Sequence, residues 1–147
     1  MKHDLAISAT VTGNDQQVGF RAMVMKQAIQ YNLAGTAENE QDEVVRFTLQ
    51  GDGKRLDPAI AAIQEGTKKS SNIEVATTPA TVDPKLDTFT IVGWTSTSRH
   101  ITTPYNLVFT LRENDQAISE NDAKAVWDQI LQSTLKGDDL KKLSDKD

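Results

Sequence analysis

The 147-residue chain carries 37% hydrophobic and 25% charged residues, a composition that fits one globular domain and excludes a disordered or fibrous chain. Its formal net charge of −5 and pI near 5.0 disfavour wholesale binding to nucleic acid or to an anionic membrane, so any anion site must be local. With no cysteine in the chain, disulfides, thiol catalysis and thiolate-ligated metals are excluded.

The opening Met1-Lys2-His3-Asp4-Leu5 lacks an apolar signal core, and no run reaches transmembrane length, so a cytoplasmic enzyme or binding domain without membrane contact is expected; a monomer is the expected form. Leu5, Ile7, Ala9 and Val11 alternate with smaller or polar residues, which predicts a half-buried strand. Gly13-Asn14-Asp15 ends it. From Phe20 the apolar spacing lengthens to Phe20, Met23, Val24, Gln27, Ala28 and Tyr31, predicting an amphipathic helix to about Leu33. Gly35 fits its C-terminal cap. Thr36 to Asn39 reads as a short strand, and Val45, Phe47 and Leu49 as its hairpin partner through Glu40-Gln41-Asp42.

Gly51-Asp52-Gly53 ends that hairpin, and Asp57-Pro58 predicts a helix start, with Asp as N-cap and Pro at the first helical position. Ile60, Ile63 and Thr67 would carry its inner face to about Lys69. Ile73 and Val75 begin another strand. Phe89, Ile91 and Gly93 extend one more after the Pro79 to Pro84 connection. The resulting βαββαβ order is that of a ferredoxin-like α+β sandwich, an antiparallel sheet with two helices on one face. Patterning alone leaves the strand order open.

Beyond Trp94, Tyr105, Leu107, Phe109 and Leu111 alternate over a further strand. Ser119-x-x-Asp122 resembles a capping box, and Ala123, Val126, Trp127, Ile130, Leu131 and Thr134 follow at helical spacing. The expected division is a domain over 1–97 and a strand–helix extension over 98–147 packed on it. The Lys/Asp-rich tail from Lys136 is expected to be at most weakly helical.

The segment with chemical potential is Gly13-Asn14-Asp15-Gln16-Gln17-Val18-Gly19-Phe20-Arg21. A strand, a short loop and a helix start beside an arginine make an oxyanion site, because helix-terminal N–H groups, the helix dipole and a guanidinium fork converge on one place. These residues resemble the acylphosphatase loop, roughly Gly-x-Val-Gln-Gly-Val-x-Phe-Arg, with Gly13, Gln16, Val18, Phe20 and Arg21 matching. Asn39 falls at the family's Arg-to-Asn separation, and the resemblance covers roughly residues 3–94.

The resemblance implies a ferredoxin-like fold and hydrolysis of acyl phosphates, with small acyl phosphates or inorganic phosphate as ligands and no metal or cofactor. Arg21 and the amides of Gln16, Gln17, Val18, Gly19, Phe20 and Arg21 would hold the phosphate, and Asn39 would orient the attacking water. Two positions depart from the family pattern. Asp15 stands where an apolar residue is usual, and Gln17 replaces a common Gly. A carboxylate facing the site would repel phosphate, so the alternative reading is a non-catalytic ferredoxin-like module that binds an anion or a partner.

Other polar residues point to no chemistry. His3 and His100 have no metal-ligand spacing. The Thr95 to Thr103 hydroxyls lack a nucleophile–base context and read as a polar loop, with Arg99-His100 within it. Gly51-Asp52-Gly53-Lys54 is a turn rather than a phosphate loop, and Asp52, Asp83 and Asp87 lack calcium-loop spacing. Trp94 and Trp127 are expected in the core.

Overall fold

The alternating segments pair into one six-stranded sheet. The computed structural model describes residues 4–14, 17–40, 44–65, 71–96, 101–114 and 116–134. In chain order these form β1 (Leu5–Asn14), α1 (Gln17–Tyr31), β2 (Ala34–Asn39), β3 (Val45–Gly51), α2 (Gly53–Glu65), β4 (Ser71–Ala80), β5 (Thr88–Ser96), β6 (Ile101–Thr110) and α3 (Glu120–Thr134). The sheet order is β4-β1-β3-β2-β5-β6. All neighbours are antiparallel except β2 and β5, which run parallel. The ferredoxin-like fold stands, but the expected antiparallel sheet holds only for β1 to β4 and becomes mixed at β5, because the chain crosses from β4 at one edge to the far side of β2. Gln50 holds that crossing: its amide nitrogen donates to the Asp83 carbonyl at 2.7 Å and its amide oxygen accepts from the Asp83 N–H at 3.0 Å.

Register puts rows of mainly apolar residues on a single face. Val11, Val45 and Asn39 lie side by side across β1, β3 and β2, as do Ala9, Phe47, Ala37 and Ile91 in the next row. Since side chains alternate along a strand, these rows and the Phe89, Leu107 and Phe109 positions face the helices, and all but Asn39 are buried. α1 lies over this face and meets both α2 and α3, while α3 also packs on β6. From α3, Ala123, Trp127 and Ile130 are buried, with Val126 and Leu131 partly so.

The helix ends differ from several sequence expectations. α1 starts at Gln17, before its apolar spacing begins; of the expected stripe it buries Phe20, Val24 and Ala28 and leaves Met23, Gln27 and Tyr31 half-buried, while Met25 and Ile29 are buried as well because it is packed on more than one side. Its C-terminal cap is Asn32 (φ 55°), not Gly35. Leu33 N donates to Ala28 O at 2.8 Å and Asn32 N to Ile29 O at 3.4 Å, the paired bonds of a Schellman cap. Asn takes the left-handed conformation here because its side chain is tied down: Nδ2 donates to the Arg112 and Asn114 carbonyls and Oδ1 accepts from Arg112 N. Gly35 sits inside β2, where a Cβ would lie 1.9 Å from the Thr48 carbonyl oxygen.

α2 begins at Gly53, capped by Asp52, whose Oδ1 accepts from Lys54 N at 2.9 Å. The expected start at Asp57-Pro58 is therefore one turn late, and Pro58 lies inside the helix. There it removes one N–H bond near the helix start. The expected run through Thr67 to Lys69 lies outside the described residues.

β4 continues to Ala80 and takes in Pro79, which an edge strand tolerates. Thr95 and Ser96 belong to β5, and Thr102 and Thr103 to β6, instead of a loop. His3, Arg99, His100, the Gln41-Asp42 turn and the tail from Lys136 lie outside the described residues. At the start of α3, Ser119 Oγ accepts from Asp122 N at 3.1 Å, the bond expected of the capping signal.

Candidate active site

Three strand ends converge where the phosphate-loop motif lies. β1, β2 and β5 run in the same direction through the register with β3, so Asn14, Asn39 and Gly93 all lie toward one end of the sheet. The parallel match of Ala37 with Ile91 carries Asn39 to the level of Gly93. β1 ends at Asn14 and α1 begins at Gln17. The N–H groups of Gln17, Val18 and Gly19 on its first turn have no acceptor within the helix. Gln16 and Asp15 lie outside the described residues, as do the side chains of 13–19.

Phe20 is fully buried and anchors the helix start in the core. Arg21 is buried at 2% exposure, which its sequence context does not announce. Its Nη1 donates to the Val92 carbonyl at 2.7 Å and the Gly93 carbonyl at 3.3 Å. Its guanidinium carbon lies 5.4 Å from the Trp94 ring centroid. Nε is buried and has no hydrogen-bond partner among the described residues. Among the described residues no carboxylate pairs with Arg21. Burial pushes its pKa below the ordinary arginine value, the sign expected when a cation loses water without gaining a counter-charge.

Two carbonyls reach one nitrogen because β5 is bulged. Ile91 pairs with Leu107 and Trp94 with Tyr105, so β5 carries one more residue than β6 across this interval. Gly93 absorbs the extra residue with φ 72°, and Asn106 Oδ1 accepts its N–H at 3.2 Å. A regular strand points successive carbonyls to opposite sides; the bulge turns Val92 and Gly93 toward Arg21. Reading Gly93 as an ordinary strand residue misses this anchor. The glycine in a strand pattern was the available signal.

Asn39 is exposed at the end of β2, on the helix side of the sheet by its register with Val45. Its side chain has no hydrogen-bond partner among the described residues. The structure thus brings Arg21, the first turn of α1 and Asn39 to one end of the sheet. The free Nε edge of Arg21 and the helix amides are donors only, suited to an oxyanion.

The acylphosphatase family model matches residues 7–91, more than half of the chain, which belongs to this family. An acylphosphatase of Chlorobaculum tepidum is 34% identical over 82 residues, covering 56% of this chain and 89% of the relative. One from Staphylococcus aureus is 36% identical over 73 residues, covering 50% and 78%. A full-length HypF, solved in a phosphate- and nucleotide-bound form, is 26% identical with a TM-score of 0.54, over 63% of this chain and 12% of HypF. β6 and α3 lie beyond the family match.

Proposed function

We propose that the protein hydrolyses acyl phosphates, with phosphate held by Arg21 and the loop amides of residues 16–21 and the attacking water oriented by Asn39. Arg21 carries this reading. A guanidinium at 2% exposure with an unpaired Nε leaves a buried cation uncompensated, which is costly. Its place at the positive end of the α1 dipole adds to that cost. An anion seated at the helix start relieves both. Nη1 is held by β5, which leaves the Nε side of the fork for a phosphoryl oxygen.

Asn39 lies on the same face and sheet end, and its amide can accept from water while donating to a phosphoryl oxygen. The water oxygen bonds to phosphorus as the bond from phosphorus to the acyl oxygen breaks. The carboxylate leaves, and the water proton passes to a phosphoryl oxygen, giving a carboxylate and inorganic phosphate. Positioning and charge stabilisation supply the catalysis.

The test is hydrolysis of benzoyl phosphate in the presence of EDTA, with inorganic phosphate binding followed by calorimetry. Turnover inhibited competitively by phosphate is expected, and Asp15→Val with Gln17→Gly should keep or raise it. If both proteins bind phosphate and neither hydrolyses, the chain is an anion-binding module, a reading that Asp15 and Gln17 favour. If neither binds phosphate, the anion site falls.

A further inference from the structure

We propose that Trp94 and Trp127 are positioning residues for the anion site, an edge-to-face ring pair through which α3 holds the Arg21 guanidinium in place. The inference rests on the anion-site reading above. Arg21 lies 5.4 Å from the Trp94 centroid. Trp94 meets Trp127 edge to face, with centroids 5.6 Å apart and planes at 81°, a favoured aromatic geometry. Lys26 lies 5.6 Å from the Trp127 centroid, so the contacts run in succession from cation to ring to ring to cation. Both rings are buried, at 8% and 6% exposure.

The choice of a ring beside Arg21 has a chemical logic. A carboxylate would neutralise the guanidinium and compete with phosphate for its donors. An aromatic face attracts the cation and accepts none of its in-plane hydrogen bonds. Nη1 is fixed by two β5 carbonyls, and the Trp94 ring restricts the remaining swing of the group. Trp94 is in turn braced by Trp127 from the buried stripe of α3. Both rings lie beyond residues 7–91, so this assigns the C-terminal part of the chain a task in the site.

These are the only two tryptophans of the chain, so the Trp127→Phe protein reports from Trp94 alone. Titrating it with inorganic phosphate should change its emission saturably, with the midpoint that calorimetry gives. Trp94→Leu should weaken phosphate binding about tenfold and Trp127→Leu about threefold, while Trp94→Phe, which keeps a π face, stays within about twofold of wild type. Because the ring holds a binding group, KM should rise more than kcat falls. A merely structural role would lower Tm and leave the phosphate affinity of the folded protein unchanged. If wild type binds phosphate while Trp94 emission and both Leu affinities stay unchanged, the ring pair is overturned and the anion site stands. If wild type does not bind phosphate, both fall. Should the Leu variants fail to fold, the emission titration of Trp127→Phe decides alone.

Discussion

Both ends of α1 have arginine beside them, and the two ends are finished differently. At the C-terminal end, Arg112 Nη1 donates to the Ile29 carbonyl and Arg55 Nη1 to those of Tyr31 and Asn32. Gln30 O accepts from Ile118 N, and Ala28 O from Leu33 N. Each of the last carbonyls has a donor, and the cations stand where the helix dipole is negative. Burial and the charge of Arg55 lower the Arg112 pKa, yet both of its terminal nitrogens have carbonyl acceptors, Ile29 for Nη1 and Gln116 for Nη2. At the N-terminal end, Arg21 is more deeply buried, stands at the positive pole and leaves Nε without an acceptor. One end is arranged for stability. The other keeps a cation unsatisfied among the described residues, the arrangement that the proposed anion role requires.

Substitution at each end should separate these roles. Arg21→Met, which keeps much of the apolar stem, should lower kcat/KM on benzoyl phosphate on the order of 10³-fold. Its Tm should hold or rise, because an uncompensated buried charge is gone. A large fall in Tm would make Arg21 a structural residue like those at the other end. Asn32→Ala should do the reverse. It strands Arg112 N and removes both carbonyl contacts, costing about 3 kcal/mol and roughly 9 °C in Tm, while the folded enzyme keeps its kcat.

Asn39→Ala sharpens the comparison within the N-terminal end, since it removes water orientation and not the cradle. Turnover should fall about 100-fold with phosphate affinity by calorimetry nearly unchanged; an equal loss in both would assign Asn39 to phosphate binding. The smallest effect is expected at Gly93→Ala. A Cβ there meets nothing within 4 Å, so the cost is the positive φ alone, about 1 kcal/mol by chemical denaturation. Phosphate affinity should fall severalfold as the bulge that presents Val92 and Gly93 relaxes.

The difference between the ends also explains what the sequence could be made to reveal. Alternation located β1, β3 and β6, and the Gly13 to Arg21 motif with Asn39 marked the sheet end where the candidate site lies. Those signals are local. The start of α1 escaped because residues 17–19 lack the apolar spacing that marks its later turns, and helix formation there is a matter of backbone closure. The Gly35 cap failed because the residue that takes the left-handed conformation, Asn32, is secured by Arg112, some 80 positions away. The burial of Arg21 depends on carbonyls 71 and 72 positions distant. Periodicity reports which face is apolar, and it is silent on pairings of that range.

The crossing segment clamped by Gln50 bears on how the chain reaches this state. Two strand pairings are short-range hairpins, β2 with β3 and β5 with β6, while β1 pairs only with β3 and β4. Closing those loops costs chain entropy before contacts return it, so folding should be slow for a domain of this length. The β2–β3 hairpin can form early, but residues 81–87 can settle only once β3 stands in place to present Gln50. Gln50→Leu should therefore speed unfolding far more than it slows folding, and the two arms of a chevron plot would show it.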